Sequence, residues 1–396
     1  MNVTILGATG AIGREITSQL IRSRVLSRME ILQLATNPGN PDSRLCADGI
    51  RRDLQDAYAE INPELQVVEK PEEFIGDIVV VAGGRTLPTN DFTGSRRDLL
   101  PFAKEVCDTY AGALVESLTS RQVTPIFVIV TNPVEYVVQY FAHRFAARRD
   151  DGARFVIGMG AHSDSLRFQW EIAHDLGVSR DRVSAEVVGE HGPLMIPRWS
   201  TVQIRGMPEK EQERCLTRLY LKDKEAADED FDVLFARRNT EIMGELKQLR
   251  EGTARAGERV DILWMIERYR PDFRVILKPL VVHRSGSGTA HATGAAAASL
   301  IQGILKGEPI VPVVQRMVRA PGDAAPIPFG VPTPLRELFR FSGTRPDDAW
   351  GWRDREFAPG SFRADRAADE NRRIEQGIAA MRRQSAEWQT GIRCTS

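Results

Sequence analysis

A glycine-rich turn joins an apolar, strand-like segment to an amphipathic helix at the start of the chain. The apolar segment is residues 3–6, and Ile12, Ile16 and Leu20 recur at helical spacing after the turn. Glycines in such a turn permit a tight bend and let helix and strand pack closely. The free N–H groups at the helix N-terminus favour an anionic group. The segment therefore predicts a strand–helix unit that binds the phosphates of a dinucleotide, through Gly7, Gly10, Ala11, Ile12 and Gly13.

Strand-like and helix-like segments alternate through the first 160 residues. Continuous apolar runs, typical of buried parallel strands, occur at residues 3–6, 31–35, 78–82, 126–131 and 155–159. This order is typical of a parallel sheet with helices on both faces. We therefore predict an α/β fold, with a Rossmann doubly wound parallel sheet in residues 1–133 and a mixed α/β (α+β) substrate domain in residues 134–396.

The pattern changes after residue 160. Helices are predicted over residues 164–176, 293–305 and 364–390, and strands over residues 183–188 and 199–204. The charged stretch 206–275 predicts long surface helices, and the proline-rich stretch 320–334 predicts extended chain.

Composition excludes several classes of partner. The 396 residues carry a formal net charge of −1, which gives no electrostatic reason to expect nucleic acid or an anionic membrane. No apolar run approaches the roughly 20 residues that span a bilayer, and a strand begins at residue 2, so we expect a cytoplasmic protein without a signal peptide. Four scattered cysteines form no pair with metal-ligand spacing, which predicts neither a disulfide framework nor a metal site.

The second predicted strand ends without an acidic residue. NAD-binding units normally place Asp or Glu there to hold the ribose 2′-hydroxyl, whereas this strand has Ala35. The missing carboxylate removes the repulsion that excludes a 2′-phosphate, but the nearest arginine downstream is Arg44. NAD and NADP both remain open as the cofactor.

Two short motifs together predict a reaction centre. His191 follows a strand-like segment, with Gly189 two residues before it and Gly192 directly after it. Asp164 and Arg167 are spaced to share a helical face. An imidazole can exchange a proton near neutral pH, a carboxylate can fix its tautomer, and a guanidinium can clamp a substrate carboxylate. Each motif alone is more often a loop histidine or a surface ion pair. Their joint presence after a dinucleotide cradle favours catalysis.

Two further segments fit this hypothesis. Asn132 ends an apolar strand before Pro133, where its amide could bind a substrate oxygen and the nicotinamide end of a cofactor. A polar loop, residues 85–97, could close as a lid and bring an arginine to a reacting carbonyl. The alternatives are a strand-end turn for the first and a solvated loop for the second.

With these residues in view, the chain resembles the lactate/malate dehydrogenase family. The matching motifs, in the family's order, are GATGAIG (7–13), AGGR (82–85), RRDLL (96–100), VTNPV (130–134), DSLRF (164–168), GEHG (189–192) and a Gly/Ser/Thr loop before an Ala-rich helix (286–298). The resemblance implies His191 as acid/base with Asp164 as its partner, and Arg167 as the carboxylate clamp. It also implies that Arg96, or its neighbour Arg97, polarises the carbonyl and that Thr289 lines the substrate pocket. Cofactor contacts are implied for Ala82 and Gly83, and contacts with both substrate and cofactor for Asn132.

The chain also departs from the family pattern. The loop from Arg85 to Arg96 is longer than usual, which leaves open whether Arg85 binds a second substrate carboxylate. Residues 206–275 and 335–363 are predicted insertions. The sequence after GEHG is apolar where polar residues are more usual, which leaves a larger or modified 2-oxo acid open as the substrate.

The leading hypothesis is an NAD(P)-dependent oxidoreductase that acts at C2 of a malate- or lactate-like 2-hydroxy or 2-oxo acid, or of a larger one, without a metal. By analogy with the family it is a homodimer or homotetramer. The alternatives are an NAD-dependent glycoside hydrolase of related fold, which would need a metal held by Cys and His, and a non-catalytic homologue that serves as a binding or assembly protein.

Overall fold

The computed structural model describes residues 1–88, 91, 96–120, 124–222, 231–251, 262–307, 311–320, 323, 325–338 and 356–393. For residues 96, 97, 118–120, 263, 336, 337 and 391 it describes the backbone alone. The strands are β1 Val3–Leu6, β2 Ile31–Ala35, β3 Glu64–Val68, β4 Ile78–Val81, β5 Ile126–Ile129, β6 Val156–Gly158, β7 Val183–Gly189, β8 Met195–Ile204, β9 Val313–Val318 and β10 Ile327–Pro332.

These strands form one mixed sheet in the order β3-β2-β1-β4-β5-β6-β9-β10-β7-β8. The first six pair in parallel, and from β6 onward every pairing is antiparallel. Leu6 is in register with Ala35 on one side and Val81 on the other, and Val81 is in register with Ile129. The carboxyl ends of four parallel strands therefore meet at one edge, where α/β sheets bind ligands.

Helices pack against this sheet and against one another. They are α1 Ala11–Arg22, α2 Pro41–Ala57, α3 Leu100–Ser120, α4 Val134–Ala146, α5 Gly160–Leu176, α6 Glu209–Tyr220, α7 Phe231–Glu251, α8 Ile262–Glu267, α9 Pro271–Arg284, α10 Ala290–Lys306 and α11 Phe362–Arg393. None of the helices in the described ranges is long and apolar enough to cross a membrane.

The predicted fold class is confirmed, since a Rossmann-like parallel sheet is followed by a second α/β region. Two strands were not predicted: β3, whose sequence ELQVV mixes polar and apolar residues, and β9, which pairs with β10 in the proline-rich stretch. Strand β6 continues the parallel part of the sheet beyond residue 133, and a domain division at that residue stays a prediction.

The charged stretch 206–275 forms helices, as predicted, but they are not confined to the surface. Leu216, Leu234, Ile242 and Ile266 are each fully buried in a second hydrophobic core against α5 and α9. Most of the other predicted insertion, residues 339–355, lies outside the described residues.

Helix α11 packs on both parts of the sheet. Ile374, Ile378 and Met381, which recur at helical spacing in the sequence, form its buried stripe against the antiparallel strands. Further along the helix, Trp388 makes an edge-to-face contact with Tyr136 of α4, at 5.7 Å between ring centroids. The C-terminal helix therefore reaches from the antiparallel strands back to the parallel half of the molecule.

Candidate active site

Helix α5 and the turn after β7 bring three predicted site residues into contact. His191 Nδ1 lies 2.6 Å from Asp164 Oδ2, and Arg167 Nη1 donates to Asp164 Oδ1 at 2.9 Å. The Asp164 side chain is 1% exposed, that of His191 11% and that of Arg167 19%. A buried carboxylate thus has one oxygen on the imidazole and the other on the guanidinium, and both partners remain reachable from solvent.

This contact fixes the tautomer of the neutral imidazole. An ionised carboxylate accepts hydrogen bonds and cannot donate them, so Nδ1 of His191 carries the proton and donates it to Asp164. The second ring nitrogen, Nε2, is then the acceptor. An imidazole held in this way by a carboxylate can act as a general base.

Two residues that the sequence analysis missed position His191. Its backbone N–H donates to Glu135 Oε1 at 2.7 Å, from a buried position in α4. Gly160, the first residue of α5, packs directly under the imidazole, where an added Cβ would lie 2.4 Å from His191 Cγ. A glutamate inside the otherwise apolar helix sequence VEYVVQYFA was the available signal for Glu135. Gly160 gave no such signal, because its contact depends on tertiary packing.

The glycine turn after β1 forms a cradle that larger residues would fill. Gly7 has a φ of +82°, and a Cβ there would lie 2.7 Å from the backbone of Gly83, which follows β4. A Cβ on Gly13 would lie 2.2 Å from the Gly7 carbonyl oxygen. The turn, Ala82 and Gly83 therefore share the carboxyl edge of the sheet, with Gly10, Ala11 and Ile12 at the start of α1.

Asn132 lies at the same edge, after β5, and its peptide bond to Pro133 is cis. Its Oδ1 atom is buried and has no hydrogen-bond partner among the described residues. A buried amide oxygen without a partner is costly unless a ligand supplies the missing donor. The glycine cradle and this orphaned oxygen therefore fit a bound nicotinamide dinucleotide.

The end of β2 presents no carboxylate to a ribose. Ala35 is fully buried, and the Thr36 hydroxyl donates to the Val68 carbonyl at 3.4 Å. The closest downstream arginine, Arg44, is paired with Asp48 and Glu69. This geometry neither repels a 2′-phosphate nor offers it a dedicated arginine.

The loop after β4 is described in part. Arg85 stacks on Phe102 of α3, with its guanidinium 4.5 Å from the ring centroid. Leu87 O accepts from His283 Nε2 and Pro88 O accepts from Arg284 Nη1, each at 2.9 Å, which attaches the first part of the loop to α9. Residues 89, 90 and 92–95 and the side chains of Arg96 and Arg97 lie outside the described residues, so the predicted lid arginine is not placed.

Thr289 is the residue before α10, and its hydroxyl lies 3.5 Å from that of Thr293. The structure gives no contact between Thr289 and His191, so its role in the substrate pocket stays a prediction. The described residues contain no group of three or more His, Cys, Asp or Glu arranged to hold a metal ion.

A small cavity of about 100 Å³ lies beside His191, and we call it the α11 cavity. Its lining comes from the start of α3, the cis-proline turn with the start of α4, the histidine turn and one end of α11: Leu100, Pro133, Glu135, Glu190, His191, Gln384, Glu387 and Trp388. A wider open groove between β7, β8 and α6 lies at the opposite ends of these strands and contains none of the predicted site residues.

Two family models match the chain. Residues 1–151 match the NAD-binding domain of lactate/malate dehydrogenase, and residues 162–242 match the alpha/beta C-terminal domain of the same family. Together they cover more than half of the chain.

Curated relatives point in the same direction. An L-2-hydroxycarboxylate dehydrogenase (NAD(P)(+)) from Methanocaldococcus jannaschii is 30% identical over 219 residues, which are 54% of this chain and 64% of that protein. An L-lactate dehydrogenase 1 from Staphylococcus aureus is 24% identical over 248 residues, 60% of this chain and 70% of that protein. The chain thus matches just under two thirds of the archaeal relative's length.

Two solved structures from Cryptosporidium parvum share the fold over 98% of this chain at 18% identity. A malate dehydrogenase aligns over 99% of its own length with a TM-score of 0.63. A lactate dehydrogenase in complex with lactic acid and nicotinamide adenine dinucleotide aligns over 98% with a TM-score of 0.62. None of these matches supports the glycoside hydrolase or the non-catalytic hypothesis.

Proposed function

The chain belongs to the lactate/malate dehydrogenase family, and on that premise we propose that it transfers a hydride between a nicotinamide cofactor and C2 of a 2-hydroxy or 2-oxo acid. The observation that carries this proposal is the contact of Asp164 with both His191 and Arg167. It supports the proposal because oxidation of a hydroxy acid needs a proton acceptor and a carboxylate-binding cation, and the imidazole and the guanidinium on this one carboxylate are groups of those two kinds.

The nicotinamide ring, when bound, accepts or supplies the hydride. In the oxidative direction His191 Nε2 takes the proton from the substrate hydroxyl, and in the reductive direction it returns that proton to the carbonyl oxygen. Asp164 stabilises the imidazolium that forms. Arg167 binds the C1 carboxylate through the guanidinium N–H groups that Asp164 does not use.

Asn132 and Arg96 complete the proposed assignment. The unpartnered amide oxygen of Asn132 fits a contact with the nicotinamide end of the cofactor, while its NH₂ group can donate to the substrate oxygen. Arg96, by family resemblance, stabilises charge on the reacting oxygen. Arg85 and Thr289 are proposed pocket residues on the same ground.

We propose that the enzyme accepts both NAD and NADP. The buried Ala35 at the end of β2 removes the carboxylate that would repel a 2′-phosphate, and Arg44, the nearest arginine downstream, is paired with Asp48 and Glu69. The archaeal relative is named for both nucleotides. The expected kcat/KM values for NADH and NADPH differ by less than about tenfold, roughly 1.4 kcal/mol.

The mutation that tests the function is His191→Asn, which keeps a neutral polar group but removes the proton acceptor. We expect kcat to fall by about 10²–10⁴ in the reduction of 2-oxo acids, followed by loss of nicotinamide absorbance. Nucleotide affinity, measured by fluorescence quenching or calorimetry, should stay within about twofold.

The matched control is His174→Asn, at an exposed position in the last turn of α5. It should retain the wild-type rate. Near wild-type turnover by His191→Asn would refute the acid/base assignment, and failure of the wild type to bind either nucleotide would refute the function itself. A homodimer or homotetramer is proposed by family analogy, and light scattering coupled to size exclusion measures it.

A further inference from the structure

We propose that α11 forms a specificity wall of the site and selects 2-oxo acids whose side chain ends in a neutral or cationic hydrogen-bond donor, such as a hydroxyl, over those ending in a carboxylate or a methyl group. This inference rests on the proposed function, because it concerns the substituent of the acid that His191 and Arg167 would hold. It assigns roles to Gln384, Glu387 and Trp388.

The position of the α11 cavity indicates which part of a substrate it receives. Arg167 lies on α5 and would hold the C1 carboxylate, while His191 would face the C2 oxygen. The cavity adjoins His191, but its lining includes no residue of α5. In the proposed binding mode the side chain of a 2-oxo acid extends from C2 away from C1 and Arg167, and the α11 cavity is a space beside His191 that α5 does not line. A volume of about 100 Å³ is several times what a single water molecule requires.

Gln384 is the feature that points to a ligand. It is 92% buried, with a relative exposure of 8%, and it lines the cavity. Its amide makes no hydrogen bond to any other group that the structure describes, although neighbouring polar side chains are paired, such as Gln139, which donates to the Ser385 carbonyl at 3.1 Å. The polar atoms of this amide keep some exposure, so their hydrogen-bonding capacity is open to a substrate group in the cavity.

The charges around the cavity decide which substrate group fits. Glu135, Glu190 and Glu387 contribute carboxylates, and the described lining contains no lysine or arginine. Glu387 is exposed and has no ion-pair partner within the described ranges. A second carboxylate on the substrate would meet repulsion here, whereas a hydroxyl or ammonium could donate to both Gln384 and Glu387.

Trp388 supplies the apolar part of the wall. Its ring is held edge-to-face against Tyr136, so it is fixed before a substrate arrives. The methylene groups between C2 and a terminal donor can pack on this ring. A bare methyl end would gain the same apolar contact but would leave the Gln384 amide unpaired, and a site built for a hydrogen bond rejects analogues that lack it.

Three keto acids of matched length test the proposal on the full chain: 4-hydroxy-2-oxobutanoate, 2-oxopentanoate and oxaloacetate, each with NADH and NADPH. For the wild type we expect kcat/KM to be about tenfold higher for the hydroxyl compound than for the other two. Gln384→Leu should reduce the preference for hydroxyl over methyl to about twofold or less. Glu387→Gln should raise kcat/KM for oxaloacetate several-fold, and this gain should shrink in high salt because the site is open to solvent.

The matched control is Glu375→Gln, a charge-equivalent change at an exposed position of α11 outside the cavity lining. It should leave all three ratios unchanged. Circular dichroism checks that Gln384→Leu is folded, and if it is not, Gln384→Met and the exposed Glu387→Gln give the same comparison.

The outcomes separate this inference from the proposed function. Turnover of none of the three acids by the wild type would overturn both. Turnover in which the methyl or carboxylate compound is preferred, or in which Gln384→Leu and Glu387→Gln leave the ratios as they are, would overturn the specificity wall and leave the dehydrogenase assignment in place.

Discussion

Asp164 connects the two residues that would handle a hydroxy acid. One of its oxygens accepts from His191 and the other from Arg167, so a single buried side chain sets the relative position of the imidazole and the guanidinium. Such residues act as a unit, and the effects of changing them one at a time are not expected to add.

The close contact between Gly160 and His191 leads to a prediction about a single residue. A Cβ there would lie 2.4 Å from His191 Cγ, so Gly160→Ala must displace the imidazole from Asp164. Misplacement of a catalytic group by about 1 Å can cost about 10² in rate. We expect kcat to fall by about that factor while nucleotide affinity stays the same, as measured by steady-state kinetics and calorimetry.

Gly112→Ala is the matched control, because Gly112 lies inside α3 and a Cβ there meets nothing within 4 Å. It should leave kcat unchanged. Equal rates for Gly160→Ala and the wild type would show that the site tolerates movement of the ring.

Sequence patterns placed His191, Asp164 and Arg167 in one hypothesis because their spacing and glycine neighbours carry chemistry. The structure adds their distances, and their catalytic roles stay predictions. Gln384 could not be found from sequence, since about 190 residues separate it from His191 and nothing in a surface-helix pattern marks one glutamine as a cavity residue. Its importance arises from the packing of α11 on α4.

At the scale of elements, α5 is the structural support of the site. Beyond Arg167 it carries Glu171 and Asp175, and both bind Arg274 of α9, a fully buried arginine that also contacts Glu267 of α8. Lys278 contacts Glu171 and Glu267 in the same network. Ion pairs around the fully buried Arg274 guanidinium fix how α5, α8 and α9 sit against one another.

Arg274→Met removes the centre of this network. In this variant Lys278 is the cation that remains, among the residues of this network, beside the carboxylates of Glu171 and Glu267. Breaking a buried ion pair typically costs about 3–5 kcal/mol. We expect the free energy of unfolding, from urea denaturation, to fall by about that amount.

Arg205→Met serves as the comparison, because the Arg205–Asp181 pair is exposed and such pairs contribute at most about 1 kcal/mol. If both variants lose stability equally, the buried network contributes no more than a surface pair.

Elements with a single periodicity were predicted well, and those shaped by their neighbours were not. Strands β1 and β4 are apolar runs, and α11 has a regular stripe. By contrast, β9 has the sequence VVQRMV, and it is a strand because β10 and β6 pair with it. Charge in residues 206–275 predicted surface helices, but the buried faces of these helices became apparent only with their packing partners.

At the scale of the whole molecule, α11 is held to the antiparallel strands by a buried carboxylate. Glu370 accepts hydrogen bonds from the Ser200 backbone N–H, at 3.0 Å, and from the Ser200 hydroxyl. Burial raises the pKa of Glu370 to about 7, while the nearby Arg198 and the Ser200 hydrogen bonds oppose that rise. The folded protein therefore binds a proton at this site more tightly than the unfolded chain does.

The sign of the resulting pH dependence follows from linkage. Between pH 4.5 and pH 7 the unfolded chain releases the proton and the folded one keeps it, so this group lowers stability as pH rises through that window. Glu370→Gln removes the titration. We expect the stability of the variant relative to wild type to increase by about 2 kcal/mol between pH 5 and pH 8, from urea denaturation at both pH values.

Glu375→Gln, exposed on the same helix, should show no such pH-dependent difference. The free energies of unfolding of Glu370→Gln and wild type are compared at pH 5 and at pH 8. If their difference is the same at both pH values, Glu370 keeps one charge state across this range.

The position of α11 in the chain also sets an order of synthesis. The glycine turn and Asn132 are made first, then His191, and Gln384 about 190 residues later. At about 5–20 residues per second, a ribosome completes the histidine turn roughly 10–40 s before it completes the wall of the cavity. On the proposed roles, the segments that would bind the nucleotide and exchange the proton are therefore synthesised before the segment that would select the substrate, so the order of synthesis separates reactivity from discrimination between acids.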